Sequence, residues 1–167
     1  MTHYDIQPET QVEFDGKSSV HPIHAKATGV TGFFEAEIKD GAIAADPPPA
    51  MRFTVPVANI KSGNDMEDNE MRRLIGGPRY PNISAELKSL KSLGQNRYTM
   101  QGEITVRGQS RTYEGEVTCV ADAPQLTLDG QRVFDMRDFG IQPPQILFLK
   151  VYPEVTVRLH LVAKSKG

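Results

Sequence analysis

The stretch from Arg97 to Ala121 restricts the possible folds more than any other part of the chain. Tyr98, Met100, Gly102, Ile104 and Val106 alternate with Thr99, Gln101, Glu103, Thr105 and Arg107. Beyond a reversal at Gly108, Tyr113, Gly115, Val117, Cys119 and Ala121 alternate with Thr112, Glu114, Glu116, Thr118 and Val120. A period of two with one apolar row marks a strand whose faces meet different surroundings. The spacing predicts a long antiparallel hairpin, each arm longer than the usual five or six residues or so. Gly102 and Gly115 stand inside the apolar row. Glycines there suit a strongly coiled sheet, such as a barrel wall. What the apolar row faces is then the functional question.

The rest of the chain is read in the same way. Tyr4-Asp5-Ile6 opens it as a short strand, and Ser19 to Ala27 is a second strand, placed at an edge because Pro22 has no amide to donate. Gly29 to Ile43 reads as a strand with a turn at Asp40-Gly41, and Met51 to Val57 as another. Pro47-Pro48-Pro49 separates them and cannot lie in a central strand. Ser62 to Pro78 gives one helix. Asn64 caps it with Glu67 three residues later, Met71, Leu74 and Ile75 form its apolar stripe, and Gly76-Gly77-Pro78 ends it. Asp65, Glu67, Asp68 and Glu70 are read as acids favoured by the helix dipole. Strands follow at Pro81 to Leu93, in the hairpin, at Gln125 to Met136, and at Val151 to Ala163. About eight strands in meander order exclude a parallel α/β sheet and leave a sandwich or an up-and-down barrel. One domain spans residues 1–167.

Composition removes several functions. The net charge is −2, and the basic residues are scattered, so nothing favours nucleic acid. No stretch approaches the ~20 apolar residues of a membrane span. The start shows no secretory signal, so the expected location is cytoplasmic, or periplasmic or secreted if a leader has been removed. One cysteine, Cys119, permits no intrachain disulfide, and its place in an apolar row marks a structural thiol rather than a nucleophile. No nucleophile elbow, zinc-protease motif, P-loop or dinucleotide fingerprint occurs. His21 and His24 are three apart in a strand and point to opposite faces, so they cannot grip one metal ion. No catalytic residue, metal ligand or cofactor is therefore assigned. Arg137 and Asp138 beside a loop read either as an anchor for a polar head group or as a structural hydrogen-bond lock.

Three stretches together resemble the YceI-like family, the lipocalin-like polyisoprenoid-binding barrels. Gly102-Glu103-Ile104-Thr105-Val106-Arg107-Gly108, continuing to Arg111, resembles that family's G-x-L-T-x-R-G-x-x-R hairpin. Arg137-Asp138-Phe139-Gly140-Ile141 resembles its D-F-G-I corner, and Arg79-Tyr80-Pro81-Asn82-Ile83 its Y-P-x-[IF] strand entry. Glu67-Asp68-Asn69-Glu70 stands where the family often has Arg-Asp-x-His, and Met136 stands two residues before Asp138, where it often has arginine.

The resemblance implies an all-β, antiparallel lipocalin-like β-barrel of about eight strands, with one short helix in a connection. It implies a non-enzymatic carrier or store for an isoprenoid or fatty-acid-like lipid. The expected apolar lining is Phe34, Ala36, Phe53, Val55, Met71 and Met100, with Ile104, Val117, Met136, Phe139, Val157 and Leu159. Arg137, Asp138 and the helix end are the places to look for head-group contacts. Each buried CH₂ contributes up to ~0.8 kcal/mol, so a five-carbon isoprene unit supplies ~4 kcal/mol at most. Association costs on the order of 4–15 kcal/mol, so a few units suffice without a charge contact. The expected partner is a hydrophobic small molecule, and a homodimer is compatible with the sequence. The competing readings are a filled structural or partner-binding barrel, and an enzyme using a polar cluster such as His24, Glu103 and Asp138 deep in the cavity.

Overall fold

The computed structural model describes residues 1–166. The strands are β1 (Thr2–Ile6), β2 (Gln11–Ser18), β3 (Pro22–Ala27), β4 (Thr31–Ala36), β5 (Ile38–Lys39), β6 (Ala42–Ile43), β7 (Ala50–Pro56), β8 (Asn82–Gly94), β9 (Arg97–Val106), β10 (Gln109–Asp122), β11 (Gln125–Asp135), β12 (Gln145–Ile146) and β13 (Leu149–Ser165). The helix α1 (Asp65–Ile75) lies between β7 and β8. Strands β1, β4, β7, β8, β9, β10, β11 and β13 pair antiparallel in that order, and β1 returns to β13 to close an eight-stranded barrel. Because β13 is 17 residues long, its second edge also carries β2 and then β3.

The long hairpin forms with a tighter turn than its alternation suggests. Arg107 (φ 55°) and Gly108 (φ 74°) alone make the reversal, so β10 begins at Gln109 rather than after Arg111. Two left-handed residues give the turn whose twist matches the flanking strands. A side chain at Gly108 would meet the Tyr80 ring, with a Cβ 2.9 Å from it, so this position needs glycine for space as well as for φ.

Two readings of the sequence change. Residues 11–18 form β2, which the sequence reading left unassigned, and β3 begins at Pro22 rather than at Ser19. The predicted strand from Gly29 to Ile43 is β4 followed by a separate small hairpin, β5–β6, turning at Asp40-Gly41. The helix starts as expected. The Asn64 side chain accepts from the Glu67 amide at 3.1 Å, satisfying one of the free amides of the first turn.

The barrel is packed at one end. Phe34, Ala36, Leu126, Leu161 and Ala163 are wholly excluded from solvent there. The Tyr98 hydroxyl reaches across this end and accepts from the Ile43 amide at 3.0 Å, so its polar atom is not left unpaired. A second apolar cluster, with Val106, Met136, Phe139, Ile141, Leu149 and Val151, gathers beneath α1 at the other end.

Candidate functional site

Between the packed end and α1 the interior is hollow. An inner chamber of about 140 Å³ is lined by Phe53, Met100, Val117 and Leu159 among others. An outer chamber of about 200 Å³ is lined by Val55, Met71, Met136 and Phe139 among others. Val12, Ile104, Phe134 and Val157 line both, so the two chambers share a wall. Ten of the twelve expected apolar residues face this space. The other two, Phe34 and Ala36, are in the packed end and do not reach it.

The hollow has a cause in the register. Met100 lies opposite Gly115, and Tyr113 opposite Gly102, across β9 and β10. Val117 lies opposite Gly130 across β10 and β11. Gly102, Gly115 and Gly130 all line the inner chamber, so three positions on its wall carry no side chain to fill it. As a result Met100, Ile104, Val157 and Leu159 remain partly accessible although they point inward.

The wall is parted on one side. Strands β10 and β11 pair only between the Val117–Gly130 and Asp122–Gln125 positions. From there β10 stays with β9 to Gln109, and β11 with β13 to Asp135. Both lips of this seam, including Tyr113, Gly115, Gln131 and Arg132, line the inner chamber. Side chains close it. Tyr113 meets Phe134 edge-on at 4.7 Å between ring centroids and Phe139 at 6.1 Å. The Arg132 guanidinium lies 4.9 Å over the Tyr113 ring and donates to the Glu114 carbonyl. The Tyr113 hydroxyl donates to Asp138 at 3.1 Å. Burial, followed by the Asp138 carboxylate, pushes the Tyr113 phenol up to about 12.

Arg137 and Asp138 therefore sit outside the hollow. Arg137 is exposed and forks onto Asp135, with Nε–Oδ1 2.9 Å and Nη2–Oδ2 2.6 Å. Asp138 is exposed and holds the Tyr113 hydroxyl. Both residues are engaged by neighbouring side chains, and neither lines either chamber. The polar groups that line the outer chamber are Ser62, Glu67, Asp68 and Arg72, on α1 and the segment before it; the inner chamber meets Glu86, Glu114, Glu116, Gln131 and Arg132, the last four along the seam. Glu67 and Asp68 are both buried, which the dipole reading did not anticipate. Asp68 accepts from the Ser62 amide (3.0 Å) and hydroxyl (2.6 Å), and lies 3.7 Å from the Arg72 guanidinium. Arg72 Nε is committed to the Ile60 carbonyl at 2.9 Å. Glu67 has one ionic partner among the described residues, His21 Nε2 at 3.0 Å. The imidazole of His21 is shifted upward, first by its bond to the Pro22 carbonyl and then by Glu67. One signal in the sequence marked Glu67: it stands four and eight residues before Met71 and Ile75, on their own stripe.

No polar cluster for catalysis assembles from the residues weighed for it. His24 is exposed and bonded to Asp15 at 2.5 Å, outside both chambers. Cys119 is buried, and desolvation pushes its thiol up to about 12. No group of three or more potential metal ligands occurs among the described residues, and no helix there is long and apolar enough to cross a membrane.

The same fold occurs in several solved structures. BcnA of Burkholderia cenocepacia superposes with a TM-score of 0.78 at 19% identity, covering 93% of this chain and 97% of its own. A polyisoprenoid-binding domain of Saccharophagus degradans, implicated in plant cell wall breakdown, gives 0.76 at 10% identity, with 99% of each chain covered. A Campylobacter jejuni YceI protein gives 0.69 at 12% identity, covering 86% of this chain and 85% of its own. A search of curated proteins finds no match to the chain. A YceI-like domain model matches residues 4–163, so the glycine-walled hollow, the barrel around it and the helix over its open end belong to a member of the YceI-like family.

Proposed function

We propose that the protein binds a long apolar or amphiphilic chain, such as an isoprenoid, inside the barrel and acts as a carrier or store rather than as an enzyme. The observation that carries this reading is the pair of adjoining apolar chambers, the inner one with a glycine-lined wall that leaves inward-facing side chains unpacked. Such a space is unstable when empty relative to a filled core, because its lining lacks dispersion partners. A chain threaded through both chambers restores them and removes its own surface from water. The buried acids Glu67 and Asp68, with Ser62 and Arg72, stand at the outer chamber beside α1, so the chain lies with its head there and its tail toward Phe53 and Met100. The solved polyisoprenoid-binding domain with the same fold supports the choice of cargo class.

The test is organic extraction of protein purified without detergent, followed by mass spectrometry, with native mass spectrometry alongside. The expected result is a co-purified hydrophobic chain in stoichiometric amount, removed by extraction and taken up again on reconstitution. A protein that carries no such molecule and takes up no long-chain lipid when offered it overturns the reading.

A further inference from the structure

The rim of the barrel at the α1 end bears apolar side chains that serve no internal packing. The β12–β13 hairpin turns at Leu147 and Phe148, which are 73% and 95% exposed. A phenylalanine held almost wholly in water at a turn tip contributes nothing to the core. The β2–β3 turn is tied beside it: the Ser19 amide donates to the Lys150 carbonyl at 2.9 Å, and the Lys150 amide donates to Ser19 Oγ at 2.9 Å. This brings Val20, 67% exposed, onto the same rim. The His21–Glu67 contact joins that turn to the first turn of α1, where Met66 is also exposed. The rim is continuous with the cavity, since Ile23, Ile141 and Val151, close in sequence to the exposed tips, line the outer chamber.

Charge on the two loops themselves is one-sided; the first turn of α1 beside them carries Asp65, Glu67 and Asp68, the latter two buried. Residues 16–23 and 140–153 contain Lys17, His21 and Lys150 and no aspartate or glutamate. Both lysines are exposed, and neither is in an ion pair among the described residues. The tips are also small: the two turns present Val20, Leu147 and Phe148, whereas a stable protein interface takes about 20–30 residues a side. A few aromatic and aliphatic side chains flanked by lysines do suffice at a lipid surface, where the apolar tips enter the acyl boundary and the cations meet anionic headgroups. We propose that this rim docks the barrel on an anionic lipid bilayer, with Leu147, Phe148 and Val20 inserted and Lys17 and Lys150 against the headgroups, so that the cavity mouth opens onto the membrane.

This surface gains its purpose from the carrier reading, so the two are tested separately. The docking assay is flotation of the full-length protein with phosphatidylcholine vesicles, with and without phosphatidylglycerol, beside the variants L147S/F148S and K17Q/K150Q. Uptake of a neutral fluorescent chain probe in vesicle-free solution is measured on the same proteins. The expected result is flotation with the anionic vesicles, weakened at least about tenfold by L147S/F148S, since two large apolar side chains no longer leave water. K17Q/K150Q weakens it too and reduces its salt dependence. Both variants keep probe uptake, because none of the four residues lines the cavity. Flotation that ignores the serine variant, or wild-type protein that does not float, overturns the docking proposal. So does a dimer in solution that L147S/F148S dissociates while vesicles are left unbound. Wild-type protein that floats but takes up no chain overturns the carrier reading and leaves the docking surface standing.

Discussion

Val157 and Ala36 both point into the barrel, and enlarging each should change stability in opposite directions. Val157 lines both chambers and is only partly buried, whereas Ala36 is wholly buried in the packed end. Val157→Phe adds four carbons to a space that is already open. At ~0.8 kcal/mol per buried CH₂ the ceiling is a gain of ~3 kcal/mol. Lost ring freedom and imperfect filling reduce this to about 1 kcal/mol. For a domain of this size that is a rise of ~3 °C in Tm. Ala36→Leu forces three carbons into a filled region and costs ~1–3 kcal/mol. Thermal and urea unfolding of ligand-stripped protein measure both signs, and uptake of a neutral fluorescent chain probe reports the cavity. Val157→Phe should stabilise the empty protein and lose the probe; Ala36→Leu should destabilise it and, while folded, keep the probe. If Val157→Phe costs as much stability as Ala36→Leu, the interior is not hollow at Val157 and the reasoning fails.

The cavity pole and the buried thiol give three further predictions. Among the described residues Glu67 has only His21 as an ionic partner, and Arg72 is already held by Ile60 and Asp68, so an anionic head meets the Glu67 carboxylate rather than a free guanidinium. In a competition assay near pH 8, a long-chain alcohol or amide should bind at least about tenfold more tightly than the acid of the same length, a difference of ~1.4 kcal/mol, and Glu67→Gln should largely abolish that preference; an acid that binds as well as the alcohol contradicts the assignment. Cys119, with its thiol pushed up to about 12, should resist alkylation in the folded protein at pH 8 to 9 and react fully once it is unfolded. The unfolded thiol releases its proton near 8.5 and the folded one only near 12, so stability should fall as pH rises through that interval, and Cys119→Ser should flatten this part of the curve in urea-unfolding measurements.

Local pattern carried much of the architecture and less of the site. The alternation through β9 and β10 and the Asn64–Glu67 cap depend on neighbours a few residues apart, and both appear as read. The strand β2 was missed because Glu13, Asp15 and Lys17 dominate its composition, while its inward row is only Val12, Phe14 and Gly16. The pairing that gives β2 its place is with β13, some 140 residues away. That same distance decides which inward residues line a void and which fill a core. Phe34 and Phe53 are alike in sequence pattern, yet the first is packed against the closed end and the second faces the glycine-walled chamber. Glu67 shows the limit from the other side. A carboxylate in the first turn of a helix is ordinary, and only the docking of α1 over the barrel mouth turns it inward.

A closed barrel has its girth set by strand number and stagger, because every ladder must break before the wall can widen. The parting of β10 from β11 removes that restriction over half the height of the wall. There the circumference depends on the rotamers of Tyr113, Phe134 and Arg132, which turn without loss of a strand-to-strand hydrogen bond. A thicker or branched occupant would press there on side chains rather than on paired backbone. The frame is rigid wherever its ladders are complete, and its give is confined to this one strip.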